Sequence, residues 1–317
     1  MNDATDPGRL DGRVAVVTGG ARGIGLAIAR DLVARGAKLV IAYNGTAING
    51  EGVDPAVAEQ VAAELGEPAR AFTPGISSPA EAAQAVALAL EAFGGLDIVV
   101  NNAAILRDGF IFKANPADWD RVIATNLAAP YYLLNAATPI MREQAKAGRG
   151  GEPYGWGRIV NITSSAGLYG NLGQSAYASA KAGLVGLTRV AAMDLARAGI
   201  TANAVAPFAH TRVTETIEPA NEAQASYKAR ALKLDPRHVA TVIAWLCSSA
   251  AQDVSGQLFG VRGREVFLFS QARTAETLVR RDADWDVAGL AEAAKAFVPH
   301  FTDLTTDLEA FDTEPVV

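Results

Sequence analysis

The chain has 317 residues, of which 50% are hydrophobic and 20% charged, and this size allows one large globular domain with a well-developed core. The 28 basic and 34 acidic residues are scattered and leave a net charge of −6, which argues against a nucleic-acid partner or an anionic membrane surface. The only cysteine, Cys247, excludes an intrachain disulfide, and no His, Cys and carboxylate residues have metal-ligand spacing, so we expect no metal.

The first 260 residues alternate between short β-branched runs and longer alanine-rich stretches. Strands are predicted at residues 13–18, 38–43, 69–73, 96–101, 158–163, 200–206 and 256–261. Helices are predicted at residues 23–34, 54–66, 79–93, 117–146, 175–197 and 235–249. Apolar strands that alternate with helices predict an α/β fold: a Rossmann-like doubly wound parallel sheet of about seven strands, with helices on both faces.

Beyond residue 262 the alternation weakens. Residues 285–301 suggest one amphipathic helix in a C-terminal extension. We therefore expect a single domain over residues 1–262 and an extension over residues 263–317 that packs on this domain or on a partner subunit.

Two general features bear on where the protein resides. The start, MNDATDPGRLDGR, is polar and mixed in charge, unlike a secretory signal. No stretch approaches 18 uninterrupted apolar residues, which predicts that the chain has no membrane span. With a single cysteine, which suits a reducing compartment, these features predict a cytoplasmic protein.

A glycine-rich string, TGGARGIG at residues 18–25, joins the first predicted strand to the first predicted helix. Gly19, Gly23 and Gly25 allow a tight turn, close approach of the backbone to a pyrophosphate and close packing of the helix on the sheet. The amino terminus of the helix supplies N–H donors to phosphates. An ordinary βα turn is the simpler reading of such a string, but its place at the first βα junction favours dinucleotide binding.

The spacing TGxxxGxG, together with further motifs, resembles the short-chain dehydrogenase/reductase family. Residues 101–104, NNAA, are similar to the family's NNAG motif, with Ala104 in place of the usual glycine. The family's catalytic Asn, Ser, Tyr and Lys are matched by Asn126, Ser164, Tyr177 and Lys181. The resemblance covers about residues 12–261 and implies that residues 1–262 form an NAD(P)-dependent catalytic domain, with a substrate lid at about residues 208–234.

The resemblance also implies a role for each of the four residues. Tyr177 would be the general acid/base, Ser164 would hydrogen-bond the substrate oxygen, and Asn126 would anchor a water that links Lys181 to solvent. A free tyrosine is a poor base at neutral pH, so we expect the Lys181 ammonium, one helical turn away, to favour the phenolate. Taken alone, Tyr177 and Lys181 are most simply an exposed helix pair, and Ser164 is a loop hydroxyl.

The resemblance implies a nicotinamide cofactor, and the residues favour NADP(H) over NAD(H). NAD-specific relatives carry an Asp at the end of the second strand, where Tyr43 and then Asn44 stand here. Arg22 matches a basic residue that contacts the 2′-phosphate in NADP-preferring relatives, although some NAD-using relatives also carry it. Gly75 stands where relatives often place an Asp beside the adenine. The other cofactor-binding positions implied by the resemblance are Gly19, Gly23, Ile24, Gly25, Ile76, Asn102, Ala103, Tyr177, Lys181, Pro207 and Thr211.

Residues 101–113, 168–184, 206–216 and 242–249 are similar to one branch of the family, the 17β-hydroxysteroid dehydrogenase type 4-like proteins and the dehydrogenase part of peroxisomal multifunctional enzyme type 2. The branch implies a hydrophobic alcohol or ketone substrate, namely a hydroxysteroid or a 3-hydroxyacyl-CoA thioester. The alternatives are a 3-oxoacyl-carrier-protein reductase and, less favoured, a non-catalytic dinucleotide-sensing scaffold. Because relatives assemble through the helices that carry Asn126 and Tyr177, we expect a homodimer or homotetramer.

Overall fold

A computed structural model describes residues 6–210 and 222–317 of the protein. Its described residues contain an eight-stranded sheet with the strand order β3-β2-β1-β4-β5-β6-β7-β8. The strands are β1 Val14–Thr18, β2 Lys38–Ala42, β3 Ala69–Phe72, β4 Ile98–Asn101, β5 Arg158–Ile162, β6 Thr201–Phe208, β7 Leu258–Arg262 and β8 Glu265–Leu268. Strands β1 to β7 are parallel to their neighbours, and β8 runs antiparallel to β7.

Helices cover both faces of the sheet. They are α1 Gly23–Ala34, α2 Ala56–Leu65, α3 Pro79–Phe93, α4 Pro116–Ile123, α5 Ala129–Lys146, α6 Ala166–Tyr169, α7 Ser175–Leu195, α8 Glu222–Ala231, α9 Pro236–Cys247, α10 Val287–Ala293 and α11 Asp307–Ala310. Successive residues of β1 enter separate hydrophobic cores: Ala15 and Val17 pack with α1 and α9, whereas Val14 and Val16 pack with α3 and α5. A strand buried on both faces must be apolar throughout, and the α/β doubly wound prediction is confirmed.

Local signals fix the ends of several helices. Ser78 caps α3 by accepting a hydrogen bond from the Glu81 N–H, Pro79 occupies the first turn, and Gly94 ends the helix with φ +76°. Asp235 caps α9 in the same way, directly before Pro236. Such caps explain why the predicted helix limits agree closely with those of the structure.

The prediction of about seven strands missed β8. After Gly263, whose φ of +58° reverses the chain, residues Glu265–Leu268 pair with β7 at the edge of the sheet. Val266 and Leu268 remain more than half exposed, although residues 266–269 are all apolar. The predicted helix at residues 285–301 is also shorter, because α10 gives way to a 3-10 segment, Ala294–His300, that contains Pro299.

The predicted long helix at residues 117–146 is interrupted in the middle. Between α4 and α5 lies one π-helical turn, Ala124–Ala128, which contains the buried Asn126. Such turns are frequent at functional sites, because the extra residue redirects the side chains and main-chain groups around it.

Candidate active site

The carboxyl ends of β1, β4, β5 and β6 open into a cleft of about 1310 Å³. It lies at the point where the strand order reverses between β1 and β4, the usual ligand position in a doubly wound sheet. Of the four catalytic candidates, Ser164, Tyr177 and Lys181 line the cleft, and Asn126 lies behind its wall. The described cofactor candidates all line it: Gly19, Arg22, Gly23, Ile24, Gly25, Tyr43, Asn44, Ile76, Asn102, Ala103, Tyr177, Lys181 and Pro207. Thr211 lies outside the described residues, as do lid residues 211–221.

The glycine string forms a tight connection from β1 to α1. Gly19 has φ +67°, and a Cβ on it would lie 2.8 Å from Asn102 Nδ2. A Cβ on Gly25 would overlap the carbonyl oxygen of Gly19, so neither position has room for a side chain. In the described chain, α1 starts without a side-chain cap and without an acidic residue in its first turn. Its first N–H groups are therefore free for a phosphate, and this cradle fits the pyrophosphate of a dinucleotide.

A hydrogen-bonded link joins the end of β1 to the end of β4. Thr18 Oγ1 accepts hydrogen bonds from the N–H groups of Asn102, at 2.9 Å, and Ala103, at 3.0 Å. Asn102 Nδ2 returns a hydrogen bond of 2.9 Å to the Thr18 carbonyl. Thr18, which begins the glycine string, was not among the predicted site residues.

The end of the cleft around Tyr43 and Asn44, which we call its far end, would hold the adenosine half of a dinucleotide. The Arg22 guanidinium lies over the Tyr43 ring, 5.7 Å from its centroid. Asn44 Oδ1 accepts a 3.1 Å hydrogen bond from Thr46 Oγ1. Gly75 has φ +79°, and a Cβ there would lie 3.1 Å from Asn44 Nδ2, so the absent Asp leaves space that the Asn44 amide uses. No carboxylate is among the described residues that line this end.

Lys181 is 2% exposed on α7, where its Nζ donates a 2.7 Å hydrogen bond to the Ile162 carbonyl. Burial lowers the pKa of this ammonium to about 7. The Nζ atom lies 5.7 Å from the centroid of the Tyr177 ring. Lys181 is therefore a buried amine that can change its protonation state near neutral pH.

The pKa of the Tyr177 phenol is raised, whereas the sequence predicted that Lys181 would lower it. Burial, the largest cause, raises its pKa to about 12, against which a hydrogen bond with Ser164 acts to lower it. The negative charges of Asp307 and Asp108 raise the pKa further. Lys181, which was expected to lower this pKa, is not among the groups that do so, and the phenol is held in its protonated form.

Asn126 is fully buried in the π-helical turn. Its Oδ1 accepts from the Ile105 N–H and its Nδ2 donates to the Ile105 carbonyl, both at 2.9 Å. The side chain thus fixes the connection after β4, which forms one wall of the cleft. A water between Asn126 and Lys181 would therefore be most simply held by the main chain of the π-helical turn.

Buried polar residues that the sequence analysis missed connect the strand ends to α7. Asn101 Nδ2 donates to Asn161 Oδ1 at 2.8 Å, and Asn161 Nδ2 donates to Thr188 Oγ1 at 2.9 Å. Thr163 Oγ1 donates a 2.6 Å hydrogen bond to the Lys181 carbonyl. These buried hydrogen bonds tie α7 to the ends of β4 and β5, although Asn101 Oδ1 has no hydrogen-bond partner among the described residues.

The C-terminal end of the chain forms another wall of the cleft. Thr306, Asp307, Leu308, Glu309 and Asp312 line it. Asp307 accepts a 2.8 Å hydrogen bond from Ser165 Oγ, beside Ser164. The Phe311 ring lies 4.6 Å from that of Phe208, the last residue of β6. Phe208 thus has a packing partner 103 positions later in the chain.

The sequence model of the short chain dehydrogenase family matches residues 13–225. The protein belongs to the short-chain dehydrogenase family. It is therefore an oxidoreductase that acts on CH–OH groups with a nicotinamide cofactor, as the sequence motifs predicted.

Curated relatives of this short-chain dehydrogenase differ in their named substrates. The hydroxyacyl-CoA dehydrogenase ChsB1 of Mycobacterium tuberculosis is 38% identical over 91% of this chain and 89% of its own. The 3-oxoacyl-[acyl-carrier-protein] reductase FabG of Vibrio cholerae is 36% identical over 80% of this chain and 97% of its own. The peroxisomal multifunctional enzyme type 2 of Drosophila melanogaster is 36% identical over 77% of this chain, which matches 38% of that longer protein.

The fold comparison gives the same family. The crystal structure of a short chain dehydrogenase from Mycobacterium avium superposes with a TM-score of 0.77 at 34% identity, over 93% of this chain and 98% of the other. No helix within residues 6–210 and 222–317 is long and apolar enough to cross a membrane. In the same residues no group of three or more His, Cys, Asp or Glu side chains is arranged to hold a metal ion.

Proposed function

We propose that this short-chain dehydrogenase interconverts a secondary alcohol and a ketone on a hydrophobic substrate, with NADP(H) preferred and with Asn126, Ser164, Tyr177 and Lys181 as its working residues. One observation carries the proposal. Ser164, Tyr177 and Lys181 line the same cleft as the glycine loop, so a dinucleotide bound there would reach them. The cofactor, when bound, supplies or accepts the hydride.

The proton chemistry falls to the chain's own residues. In reduction, the Tyr177 O–H donates its proton to the substrate oxygen, and Ser164 Oγ hydrogen-bonds the same oxygen. A phenol with a pKa of about 12 stays protonated at neutral pH and suits this role. Lys181, with a pKa of about 7, can return a proton towards the phenolate, and the main chain at Asn126 would hold the water through which that proton comes.

The preference for NADP(H) rests on the far end of the cleft. Arg22 lies over the Tyr43 ring, and the described lining there lacks a carboxylate that would repel a 2′-phosphate. An Arg makes stronger hydrogen bonds with a phosphate, where both partners are charged, than with a neutral ribose hydroxyl.

The substrate class rests on the other end of the cleft. Phe208, Leu234 and Leu308 contribute apolar side chains to it, beside the acids of the C-terminal end. The apolar part suits a hydroxysteroid or the acyl chain of a 3-hydroxyacyl-CoA thioester. The name of the mycobacterial relative supports the thioester. A 3-oxoacyl-carrier-protein reductase is the second candidate, because the relative from Vibrio cholerae carries that name at similar identity.

A substrate panel tests these alternatives. The full chain is assayed for reduction of acetoacetyl-CoA, acetoacetyl-carrier protein and a 3-oxosteroid, each with NADPH and with NADH. We expect turnover of the CoA thioester or the steroid, with NADPH preferred. Faster reduction of the carrier-protein thioester favours the second candidate, and tight NADPH binding with no turnover of any ketone would support the dinucleotide-sensing scaffold instead.

We further propose that the enzyme is a homodimer or homotetramer. Helices α5 and α7 carry apolar side chains that are about half or more exposed, namely Tyr131, Val190 and Met193. Exposed apolar residues grouped on long helices are typical of subunit interfaces.

A further inference from the structure

The segment Thr306–Val316, which we name the C-terminal wall, is held firmly against the domain. Arg262 Nη1 donates to the Phe311 carbonyl and Arg262 Nη2 to Thr313 Oγ1, both at 2.8 Å. The Arg264 N–H donates to the Val316 carbonyl at 2.7 Å. The Phe311 ring completes an aromatic cluster whose other members are Tyr169, Phe208, Phe267 and Phe269. These contacts hold the wall against the domain beside the cleft.

Asp307 is the most buried acid of this wall, with 7% of its surface exposed. Its Oδ2 accepts the Ser165 hydrogen bond, and Ser165 adjoins the catalytic candidate Ser164. The Asn171 amide lies near enough to lower the carboxyl's pKa, but no described group makes a well-aligned hydrogen bond to Oδ1. The carboxyl therefore has one oxygen anchored to the loop that carries Ser164 and one oxygen without an aligned donor.

The charges around Tyr177 come from several elements. Lys181 lies on the same helix, but its ammonium is directed to the Ile162 carbonyl. Ser164 approaches from the loop after β5, Asp108 from the connection after β4, and Asp307 from the C-terminal wall. Asp108, Asp307 and Tyr227 line the same cleft as Tyr177, and the two carboxyl groups supply the negative charge that acts on its phenol.

A second set of groups surrounds Asp307. The Tyr227 phenol of α8 is near enough to Asp307 for the carboxylate to raise its pKa, and near enough to Arg230 and Arg262 for these cations to act against that rise. Arg230 is paired with Asp312, and Arg262 with Glu265 at 2.8 Å. Both cations are engaged by other carboxylates, so the Asp307 charge is only partly balanced.

We propose that Asp307 is a positioning residue of the active site, which holds the Ser164 loop through Ser165 and, by its negative charge, keeps the Tyr177 phenol in the proton-donating form. A carboxylate near a phenol disfavours the phenolate, because two like charges repel in a medium that screens them poorly. At the alkaline pH where a tyrosine titrates, a carboxyl is ionised even when burial has raised its pKa, since the two ordinary pKa values differ by about six units. The inference rests on the proposed role of Tyr177 as general acid/base.

Three variants separate the charge from the hydrogen bond. Asp307→Asn keeps an acceptor oxygen and the size of the side chain but removes the charge. Ser165→Ala removes the hydrogen bond and keeps the charge. Asp303→Asn removes an exposed acid nearby in the same extension and controls for net charge. Asp307→Ser serves as a second neutral variant if the asparagine variant does not fold.

The measurement is the pH dependence of kcat/KM for oxidation of 3-hydroxybutyryl-CoA with saturating NADP, which rises with pH as Tyr177 loses its proton. We expect Asp307→Asn to shift this rise to lower pH by about 0.5 to 1 unit. Ser165→Ala and Asp303→Asn should leave its position unchanged. A second readout, the NMR titration of 13Cζ-tyrosine in the NADP complex, should show the same shift for the Tyr177 signal, assigned with Tyr177→Phe.

The outcomes are distinct. An unshifted profile in Asp307→Asn, or an equal shift in Ser165→Ala, overturns the electrostatic role of Asp307. If Tyr177→Phe retains full activity, or neither the thioester nor a hydroxysteroid is oxidised, the proposed function fails. The NMR titration then still decides whether the Asp307 charge acts on Tyr177.

Discussion

At the scale of single residues, Lys181 combines deep burial with a charge that can be lost near neutral pH. Its folded pKa of about 7 lies below the ordinary value of 10.5. The unfolded chain therefore binds more protons than the folded chain between these two values, and the free energy of unfolding must rise with pH in that interval.

Lys181→Met tests this linkage. Between about pH 7 and pH 9, we expect the wild-type free energy of unfolding to rise by about 1 kcal/mol or more relative to the variant, because one pKa unit corresponds to about 1.4 kcal/mol. The measurement is urea unfolding of both proteins across this pH range. Parallel curves would mean that the Lys181 pKa is close to normal in the folded state.

Arg22 is the residue on which the cofactor preference depends. We expect Arg22→Gln to raise KM for NADP about 10-fold, through loss of a charge-assisted hydrogen bond worth about 1.5 kcal/mol, and to leave KM for NAD nearly unchanged. Arg30→Gln, at an exposed position of α1, the helix that follows Arg22, is the matched control. Equal increases for both cofactors would contradict contact between Arg22 and the 2′-phosphate.

At the scale of elements, the close approach of α1 to the β1 end requires glycine. We expect Gly25→Ala to weaken dinucleotide binding at least 10-fold or to destabilise the fold by about 1 to 3 kcal/mol, the usual cost of overpacking. Gly186→Ala is the control, because a Cβ at this position of α7 meets nothing within 4 Å and alanine favours a helix. Isothermal titration with NADPH and thermal unfolding measure both effects. Equal affinity and equal stability of Gly25→Ala and Gly186→Ala would argue against a tight connection between β1 and α1.

The elements also show what a sequence can and cannot indicate. The strands of the parallel sheet and the glycine loop were predictable, because their apolar runs and glycine spacing are local and repeat along the chain. The strand β8 was not predicted, since its four residues are too short a segment to give a clear pattern. The hydrogen bond between Ser165 and Asp307 joins positions 142 residues apart, and no local pattern encodes it.

At the scale of the whole molecule, the exposed apolar faces of α5 and α7 bear on assembly. We expect Met193→Asp to dissociate the oligomer, because a buried unpaired charge opposes association by several kcal/mol. Light scattering after size-exclusion chromatography gives the mass. Val279→Asp, at an exposed site of the C-terminal extension, is the control. A wild-type monomer, or an unchanged mass in Met193→Asp, would exclude these helices as the interface.

If one cleft holds both the nicotinamide cofactor and the acid/base Tyr177, removal of the phenol must slow the single-turnover reduction of acetoacetyl-CoA by bound NADPH. In Tyr177→Phe we expect the rate to fall at least about 100-fold, the usual contribution of general acid catalysis, while the Kd for NADPH stays close to that of the wild type. Tyr131→Phe, which removes an exposed hydroxyl on α5, should match the wild type. An undiminished rate in Tyr177→Phe would contradict the assignment of this phenol as the proton donor.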